Sequence, residues 1–449
     1  MPLFDPDDLA EWCGGTWSKR PARPITSVGH DTRTLEKGSL YVALPGTRVD
    51  GHALLGDAEK AGAVACMCLH GMADPEVPGL EVEDVGEGLK RLAAGYRSQL
   101  NGCVIGVTGS AGKTTVKDML AAMCAEQDST CCTKGNWNNQ VGLPLSLLAM
   151  ETGDAFGVFE LGMNQPGEIA ELADILQPQV GVISSIGEAH LEKLGSVEAI
   201  AREKSSLLAA LPADGVAVLD RDSPWFELMK SYCQCRVVTV SLRDPAEYRG
   251  ETVSGVPDLL RIHDEARRGT FEVPLRLPGE HMCRNVLLAV AVARECGVHP
   301  EALSAGLTAY RPAPMRWQCD RIGEWDLIND AYNANPLSMR SAIRTFADLQ
   351  TPGEKWLVAG GMAELGADEQ RIHREVGAYL NSMPLDGVVL VGPKAAWMKE
   401  SIPSLPVVEA GTCGEAAAEI RRRVPEGATL LLKASRADRL EQVVSELLK

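Results

Sequence analysis

The stretch that decides the fold is Cys103-Val-Ile-Gly-Val-Thr-Gly-Ser-Ala-Gly-Lys-Thr-Thr115. It opens with an apolar run typical of a buried strand, and the helical pattern Thr114 to Ala125 follows it. Glycines between strand and helix let backbone N–H groups approach phosphate oxygens, and the helix amino terminus adds positive potential. The sequence therefore predicts a loop that binds nucleotide phosphates, formed by Gly109, Ser110, Ala111, Gly112, Lys113, Thr114 and Thr115.

The spacing of this loop is a variant, because the strict six-residue form would have glycine where Val107 stands. The alternative is a glycine-rich turn that carries a single lysine. The order of strand, glycines, Gly-Lys-Thr and helix favours the phosphate loop. In that interpretation Lys113 contacts the terminal phosphates and Thr114 is a ligand of Mg²⁺.

Three further side chains are candidates for the same site. Glu160 ends the next strand-like run, so a parallel sheet would place its carboxylate beside the loop, where it could bind Mg²⁺. His190 follows the strand-like run Val180 to Ser184, and Lys204 lies in a predicted helix from Val197 to Leu208. Taken alone, the histidine is typical of a structural hydrogen-bonded residue, and the lysine is typical of a surface charge.

Composition excludes several classes of protein. The 449 residues include 44 Lys and Arg against 61 Asp and Glu, a net charge of −17, which weighs against nucleic-acid binding. We expect no membrane insertion, because no run approaches about 18 apolar residues. The acidic start, Met1 to Glu11, does not look like a secretory signal. Thirteen cysteines, mostly in apolar segments, favour reduced thiols, and we expect a cytoplasmic monomer.

The chain divides into three α/β blocks, which we expect to be domains at residues 1–100, 101–315 and 316–449. Each block alternates strand-like apolar runs with helical segments, the pattern of parallel sheets. The Pro-rich segment Arg311 to Arg316 predicts the hinge before the third block. The predicted fold is thus a small N-terminal α/β domain, a central parallel-sheet ATPase domain and a C-terminal Rossmann-like domain.

Short motifs occur along the whole chain in a characteristic order and spacing: Asp31-Thr-Arg33, Tyr41-Val-Ala-Leu-Pro-Gly46, Asp50-Gly-His52, Thr108-Gly-Ser-Ala-Gly-Lys-Thr114, Gly135-Asn-Trp-Asn-Asn139, Glu160-Leu-Gly-Met163, His190, Lys204, Pro278-Gly-Glu-His281, Asn285, Arg316, Asp330-Ala-Tyr-Asn-Ala-Asn-Pro336, Met362-Ala-Glu-Leu-Gly366 and Lys433-Ala-Ser-Arg436. In the order and spacing of these motifs the chain resembles the Mur ligase family, the ATP-dependent amide-forming enzymes of peptidoglycan precursor synthesis.

The resemblance implies a catalytic set and its cofactors, ATP and Mg²⁺. Thr114, Glu160, His190 and Lys204 would hold metal ions, with Lys204 carbamylated by CO₂. The implied catalytic residues are Lys113, Glu160, His190, Lys204 and Arg316. The implied nucleotide contacts outside the loop are Asn285, Arg316, Asp330, Tyr332, Asn333 and Asn335.

The resemblance also implies a substrate surface. The N-terminal domain would bind the UDP end of the substrate, and the other domains would contact its muramoyl part and the reacting groups. The residues concerned are Asp31, Arg33, Gly46, Asp50, His52, Asn136, Asn138, Asn139, Ser435 and Arg436, together with Lys433.

Within the family, the form Asp-x-Tyr-Asn-Ala-Asn at 330–335 resembles the MurF-type branch, which joins D-alanyl-D-alanine to UDP-N-acetylmuramoyl-tripeptide. The Asp-Asn-Pro-Arg string usual in diaminopimelate-adding ligases is absent. The alternatives are another amino-acid-adding Mur ligase, a folylpolyglutamate-synthase-like ligase and a non-catalytic nucleotide-binding protein. Five positions depart from the family pattern, and we expect catalysis to survive them: Gln140, Met282, Met315, Gly361 and Ala434.

Overall fold

The computed structural model describes residues 2–46, 49–74, 76–253 and 259–449. In these residues the chain forms three β-sheets, of five, nine and six strands, one in each predicted block. The predicted three-domain α/β architecture is confirmed. Residues 47 and 48, which belong to the turn between Gly46 and His52 predicted to bind UDP, lie outside the described residues.

The N-terminal domain is a mixed sheet in the order β1-β5-β4-β3-β2, with only the β1–β5 pair antiparallel. Two of its helices begin at acidic caps: Asp5 accepts from the Asp7 N–H, and Asp84 accepts from the Glu87 N–H. The elements are β1 (Thr16–Trp17), β2 (Ser27–Gly29), β3 (Ser39–Val42), β4 (Ala65–Leu69), β5 (Gly79–Val82), α1 (Pro6–Cys13), α2 (Leu55–Ala61) and α3 (Val85–Arg97).

The central domain has its sheet in the order β14-β13-β12-β11-β10-β9-β6-β8-β7. Its strands are β6 (Cys103–Thr108), β7 (Thr130–Cys132), β8 (Phe156–Glu160), β9 (Val180–Ile183), β10 (Val216–Asp220), β11 (Arg236–Ser241), β12 (Tyr248–Thr252), β13 (Leu259–Asp264) and β14 (Gly269–Pro274). Its helices are α4 (Lys113–Ala125), α5 (Gly142–Leu148), α6 (Glu168–Leu176), α7 (Leu191–Leu194), α8 (Val197–Ala209), α9 (Phe226–Ser231), α10 (Glu280–Glu295) and α11 (Pro300–Ala309).

Strand order in the central sheet explains where the site forms. β6 lies between β8 and β9 and is parallel to both. The carboxyl ends of these three strands therefore meet at one edge, and they deliver the phosphate loop, Glu160 and the segment that leads to His190. The far end of the sheet differs from the predicted parallel arrangement, because β12, β13 and β14 are joined by antiparallel pairing.

The C-terminal domain has a sheet in the order β15-β16-β20-β17-β18-β19, parallel except for the hairpin of β15 and β16. Its elements are β15 (Gln318–Ile322), β16 (Trp325–Asn329), β17 (Lys355–Ala359), β18 (Gly387–Val391), β19 (Val407–Ala410), β20 (Thr429–Lys433), α12 (Pro336–Asp348), α13 (Glu369–Asn381), α14 (Pro393–Lys399), α15 (Cys413–Arg423) and α16 (Glu441–Leu447). The predicted hinge, residues 311–316, lies outside helices and strands.

Apolar packing joins the three domains. One buried cluster runs from the N-terminal domain, at Leu92, into helices of the central domain, at Leu172. A second runs from the central sheet, at Val107, to α12 of the C-terminal domain, at Phe346. The contacts between the domains therefore bury apolar side chains. No helix in the described part of the chain is long and apolar enough to cross a membrane.

Candidate active site between the central and C-terminal domains

The phosphate loop has the backbone shape that its glycines predict. Gly109 and Gly112 have φ angles of 152° and 82°, which side chains disfavour, and a Cβ on Gly109 would lie 2.1 Å from the Ser184 hydroxyl oxygen. Two hydroxyls that follow β9 hold the loop: Ser184 donates to the Ala111 carbonyl at 2.6 Å, and Ser185 accepts from the Ala111 N–H at 2.9 Å. The loop is therefore fixed by the neighbouring strand end.

Thr114 and Glu160 meet at the base of the loop. The Thr114 hydroxyl donates to Glu160 Oε2 at 2.8 Å, and both residues are buried. The other carboxylate oxygen, Oε1, accepts from the side-chain amide of Asn138 at 2.7 Å. The Glu160 N–H donates to the Thr133 hydroxyl at 3.0 Å. A hydroxyl and a carboxylate held this way are hard oxygen ligands of the kind Mg²⁺ uses beside phosphate.

The lysines of the site lie in a positive and partly dehydrated environment. Lys113 Nζ donates to the Gly109 carbonyl at 2.9 Å. Burial lowers the pKa of Lys113; Glu160 opposes that shift and Arg316 adds to it. Lys204 on α8 is only 1% exposed, and burial, together with the charge of Lys113, places the pKa of its amine well below the ordinary value. No described residue accepts a hydrogen bond from the Lys204 amine.

The C-terminal domain reaches the loop through two side chains. Arg316 donates to the Thr114 hydroxyl at 3.0 Å, and its guanidinium carbon lies 4.3 Å from the centre of the Tyr332 ring. Asn335 donates to the Ser110 carbonyl at 3.1 Å. Asn335 also caps α12, where its side-chain oxygen accepts from the Ser338 N–H. An arginine and an amide from one domain thus touch the phosphate loop of another.

His190 lies at the start of α7, with its Nδ1 atom 2.6 Å from Glu364 Oε2 of the C-terminal domain. That contact lowers the pKa of Glu364. Among the described residues, no group of three or more His, Cys, Asp or Glu side chains is arranged to hold a metal ion alone. In the predicted metal set of Thr114, Glu160, His190 and Lys204, only Glu160 and His190 are residues of these types, and phosphate or water oxygens would complete any coordination.

Family models match all three domains of the chain. The Mur ligase family catalytic domain matches residues 24–97, the Mur ligase middle domain matches 107–293, and the Mur ligase glutamate ligase domain matches 315–436. The chain belongs to the Mur ligase family.

Individual relatives of this Mur ligase give the same picture. UDP-N-acetylmuramoyl-tripeptide--D-alanyl-D-alanine ligase of Bacillus subtilis is 34% identical, over 95% of this chain and 93% of that protein. A solved structure of MurF from Acinetobacter baumannii, 29% identical, superposes with a TM-score of 0.91 over 100% of this chain and 99% of that one. MurF ligase from Thermotoga maritima in complex with ADP, 28% identical, has a TM-score of 0.81 over 94% and 97%.

Of the remaining nucleotide candidates of this Mur ligase, Asn285 contacts the phosphate loop, whereas Asp330 and Asn333 belong to the C-terminal domain. Asn285 on α10 is buried against Gly112, since a Cβ added to Gly112 would lie 2.7 Å from Asn285 Oδ1. Asp330 pairs with Lys433 at 2.7 Å, which leaves its other oxygen to accept from the Trp317 N–H. Asn333 is exposed after β16, near the Tyr332 ring.

The predicted substrate residues fall into three places. Asp31 and Arg33 follow β2 and pair with each other through two hydrogen bonds of 2.6 and 2.8 Å, which lower the pKa of Asp31 to about 2. Gly46 and Asp50 are both exposed and follow β3 along the chain. Along the loop after β7, Asn136 and Asn139 are exposed, whereas the Asn138 side chain faces Glu160. In the C-terminal domain, Ser435 is buried and Arg436 pairs with Glu441.

His52 has a structural contact on each ring nitrogen. Its Nε2 atom accepts from the Leu69 N–H at 3.1 Å, and its Nδ1 atom lies 2.7 Å from Asp50 Oδ1. The side chain is only 4% exposed. His52 therefore orients the exposed Asp50 rather than presenting a free nitrogen to a ligand, a distinction that sequence reasoning could not make.

The departures from the family pattern have local explanations. Met315 stands where the family has glycine, and it adopts a left-handed φ of 59°. At Gly361, the N–H donates to Asp438 Oδ2 at 2.5 Å, and an added Cβ would lie 2.7 Å from the Cβ of Lys394. An aspartate at 361 would therefore displace Lys394. Gln140 donates to Glu171, and Met282 and Ala434 are buried.

Proposed function

We propose that this protein is an ATP-dependent ligase that joins D-alanyl-D-alanine to the terminal carboxylate of UDP-N-acetylmuramoyl-tripeptide. One observation carries the proposal: the phosphate loop, Glu160 and Arg316 meet at a single place, in a chain that is similar over almost its whole length to a UDP-N-acetylmuramoyl-tripeptide--D-alanyl-D-alanine ligase.

The chemistry requires activation of the carboxylate. An oxygen of the tripeptide carboxylate attacks the γ-phosphorus of ATP, and the bond to the β-bridging oxygen breaks, which gives an acyl phosphate and ADP. The D-alanyl-D-alanine amine then attacks the carbonyl carbon and loses a proton. The tetrahedral intermediate expels phosphate, which retains the oxygen that came from the carboxylate.

Positive charge around the transferred phosphoryl group is the main contribution of the protein. Lys113 contacts the Gly109 carbonyl of the phosphate loop and Arg316 contacts the Thr114 hydroxyl, and both cations would neutralise charge on the γ-phosphate and on the oxyanion. Glu160 and Thr114 would hold Mg²⁺, and Asn138 fixes the carboxylate that does so. The metal would supply further charge neutralisation when bound.

Carbamylation of Lys204 is part of the proposal. The lowered pKa of this buried amine favours its free base, which reacts with CO₂ and loses a proton to give a carbamate anion. The neighbouring charge of Lys113 would favour this anion, and it disfavours the ammonium form. We therefore propose that carbamylated Lys204 and His190 bind a second metal ion beside the γ-phosphate.

We also propose the binding surfaces. Asp330, Tyr332, Asn333 and Asn335 would hold the adenine and ribose of ATP from the C-terminal domain, and Asn285 would contact the nucleotide from α10. The exposed Asp31, Arg33 and Asp50 would bind the UDP end of the substrate. We expect the protein to act as a monomer in the cytoplasm, where ATP is available.

The test measures phosphate release with UDP-muramoyl-tripeptide, ATP and Mg²⁺, and compares D-alanyl-D-alanine with single amino acids as acceptor. We expect turnover with the dipeptide at least tenfold above that with any single amino acid. Preference for one amino acid would point to another Mur ligase. Turnover with a folate would favour the folylpolyglutamate-synthase alternative, and ATP binding without turnover would favour a non-catalytic protein.

A further inference from the structure

The segment 187–192, termed here the His190 loop, is the part of the central domain that docks on the C-terminal domain at several points. A Cβ on Gly187 would lie 2.7 Å from Leu337 of α12, so backbone and side chain are in close contact. Glu188 pairs with Arg340 at 3.3 Å. The Glu192 N–H donates to the Glu364 carbonyl at 2.9 Å. Docking of the C-terminal domain therefore depends on the shape of this loop.

The two residues at the centre of the contact are held in an unfavourable backbone conformation. His190 has a φ of 57° and Glu364 a φ of 63°, both in the left-handed region. The left-handed conformation is higher in free energy for any residue that has a Cβ atom, and it persists only where the surroundings require it. The backbone at both positions brings His190 Nδ1 within 2.6 Å of Glu364 Oε2.

This contact distinguishes the two ring nitrogens. The contact is an ion pair, and the lone pairs of a bare Nδ1 and of an ionised carboxylate oxygen would repel each other at 2.6 Å, so Nδ1 carries the hydrogen. In a neutral ring Nε2 then has the free electron pair. Nε2 forms no hydrogen bond to any residue in the described ranges, and the side chain remains 20% exposed. Glu364 therefore leaves Nε2 as the nitrogen available to a ligand.

We infer that Glu364 is a positioning residue: it fixes the ring and the tautomer of His190, so that docking of the C-terminal domain prepares Nε2 to bind a metal ion beside the γ-phosphate. The inference rests on the proposed function for the identity of that ligand. A carboxylate behind a metal-binding histidine orients the ring and raises its basicity. Here that carboxylate comes from a different domain, which couples domain docking to the readiness of the site.

The first experiment uses the full chain labelled with ¹⁵N-histidine, without nucleotide or metal, in alkaline buffer where histidine is normally neutral. The His190→Gln variant assigns the His190 signals in a long-range ¹H–¹⁵N correlation spectrum. We expect the wild type to have its hydrogen on Nδ1, and Glu364→Ala to move the signals towards the Nε2–H tautomer. Glu188→Gln, which weakens the neighbouring domain contact without touching the ring, should leave them in place.

Steady-state kinetics gives the second readout. Glu364→Ala should lower kcat roughly 10- to 100-fold, with a smaller change in the KM for ATP. Glu364→Gln keeps an oxygen that accepts from Nδ1–H, and it should retain most of the activity that Glu364→Ala loses. Glu188→Gln should change kcat less than about threefold, because a part-exposed ion pair contributes little.

The outcomes separate this inference from the proposed function. A wild-type hydrogen on Nε2, unchanged signals in Glu364→Ala, or equal activity of the Gln and Ala variants would each overturn the role of Glu364. A wild type that carries the hydrogen on Nδ1 but forms no amide would refute the ligase proposal and leave the orienting contact established.

Discussion

The two halves of the candidate site are built differently. At the edge of the central sheet, Thr114, Glu160 and Asn138 belong to one domain, are joined by hydrogen bonds of 2.7 and 2.8 Å, and are mostly buried. Across the domain boundary, single side chains such as Asn335 reach the phosphate loop, and residues such as Met315 adopt left-handed conformations. The first half is preorganised by its own sheet, whereas the second forms only when two domains meet.

The largest effect should come from breaking the preorganised half. Glu160→Gln keeps the size of the side chain and removes its charge, so we expect kcat/KM to fall roughly 10²- to 10³-fold. Glu171→Gln is the matched control, because Glu171 pairs with Lys90 and Gln140 away from the loop. The kcat/KM of Glu171→Gln should stay within about threefold of the wild-type value. Phosphate-release kinetics measures both, and equal losses would contradict the account.

A pH effect should come next, from His281 at the domain boundary, whose pKa burial lowers to about 4. Between pH 6.5 and 4 the unfolded chain binds a proton at this site and the folded chain does not, so stability falls as the pH falls. When the pH is lowered from 7 to 4.5, we expect the free energy of unfolding to fall by about 2–3 kcal/mol less in His281→Asn than in the wild type. Urea unfolding at both pH values measures this, and parallel losses would refute it.

A smaller effect tests whether one residue of the boundary serves both folding and binding. Asn335→Ala removes a helix cap and the contact with Ser110. We therefore expect the free energy of unfolding to fall by about 1 kcal/mol and the KM for ATP to rise several-fold. Thr412→Ala removes an ordinary cap of α15, in the same domain. It should lose similar stability with an unchanged KM. Thermal unfolding and kinetics decide, and a shared rise in KM would argue for an indirect effect.

The smallest effect concerns strain at the boundary. Met315→Gly relieves a left-handed φ, which costs about 1–2 kcal/mol, but it also gives the unfolded chain more freedom. We expect a net gain of about 0.5 kcal/mol in unfolding free energy. Gly323 has a φ of 56° and open space around it, so the converse change, Gly323→Ala, should lower the free energy of unfolding by about 1 kcal/mol. A loss in Met315→Gly above about 1 kcal/mol would show that the methionine side chain stabilises the boundary.

The same difference explains what the sequence could predict. Strand, loop and helix from Cys103 to Ala125 are contiguous, and Glu160 follows the adjacent strand, so their meeting could be predicted from motif order. The pairing of His190 with Glu364 joins residues 174 positions apart through a domain contact, and no local pattern indicates it. Asn138 was predicted to face the substrate, but its contact with Glu160 depends on the path of the loop after β7.

The residues of the N-terminal domain show a further limit. The motif containing Asp50 and His52 predicted two binding side chains, yet packing uses both nitrogens of His52. A motif records which residues occur together, and only the three-dimensional contacts show which of them is free. At Met315 the family pattern has glycine, and the structure shows why: the backbone there is left-handed, a conformation that glycine adopts readily.

The most direct test of the central claim follows the oxygen of the substrate carboxylate. Tripeptide substrate labelled with ¹⁸O in its terminal carboxylate is converted with ATP, Mg²⁺ and D-alanyl-D-alanine, and the released phosphate is analysed by mass spectrometry. The account predicts one ¹⁸O atom in each phosphate released, because the carboxylate oxygen leaves with the phosphoryl group. Phosphate that carries no label, released along with amide product, would contradict an acyl phosphate and with it this account of the site.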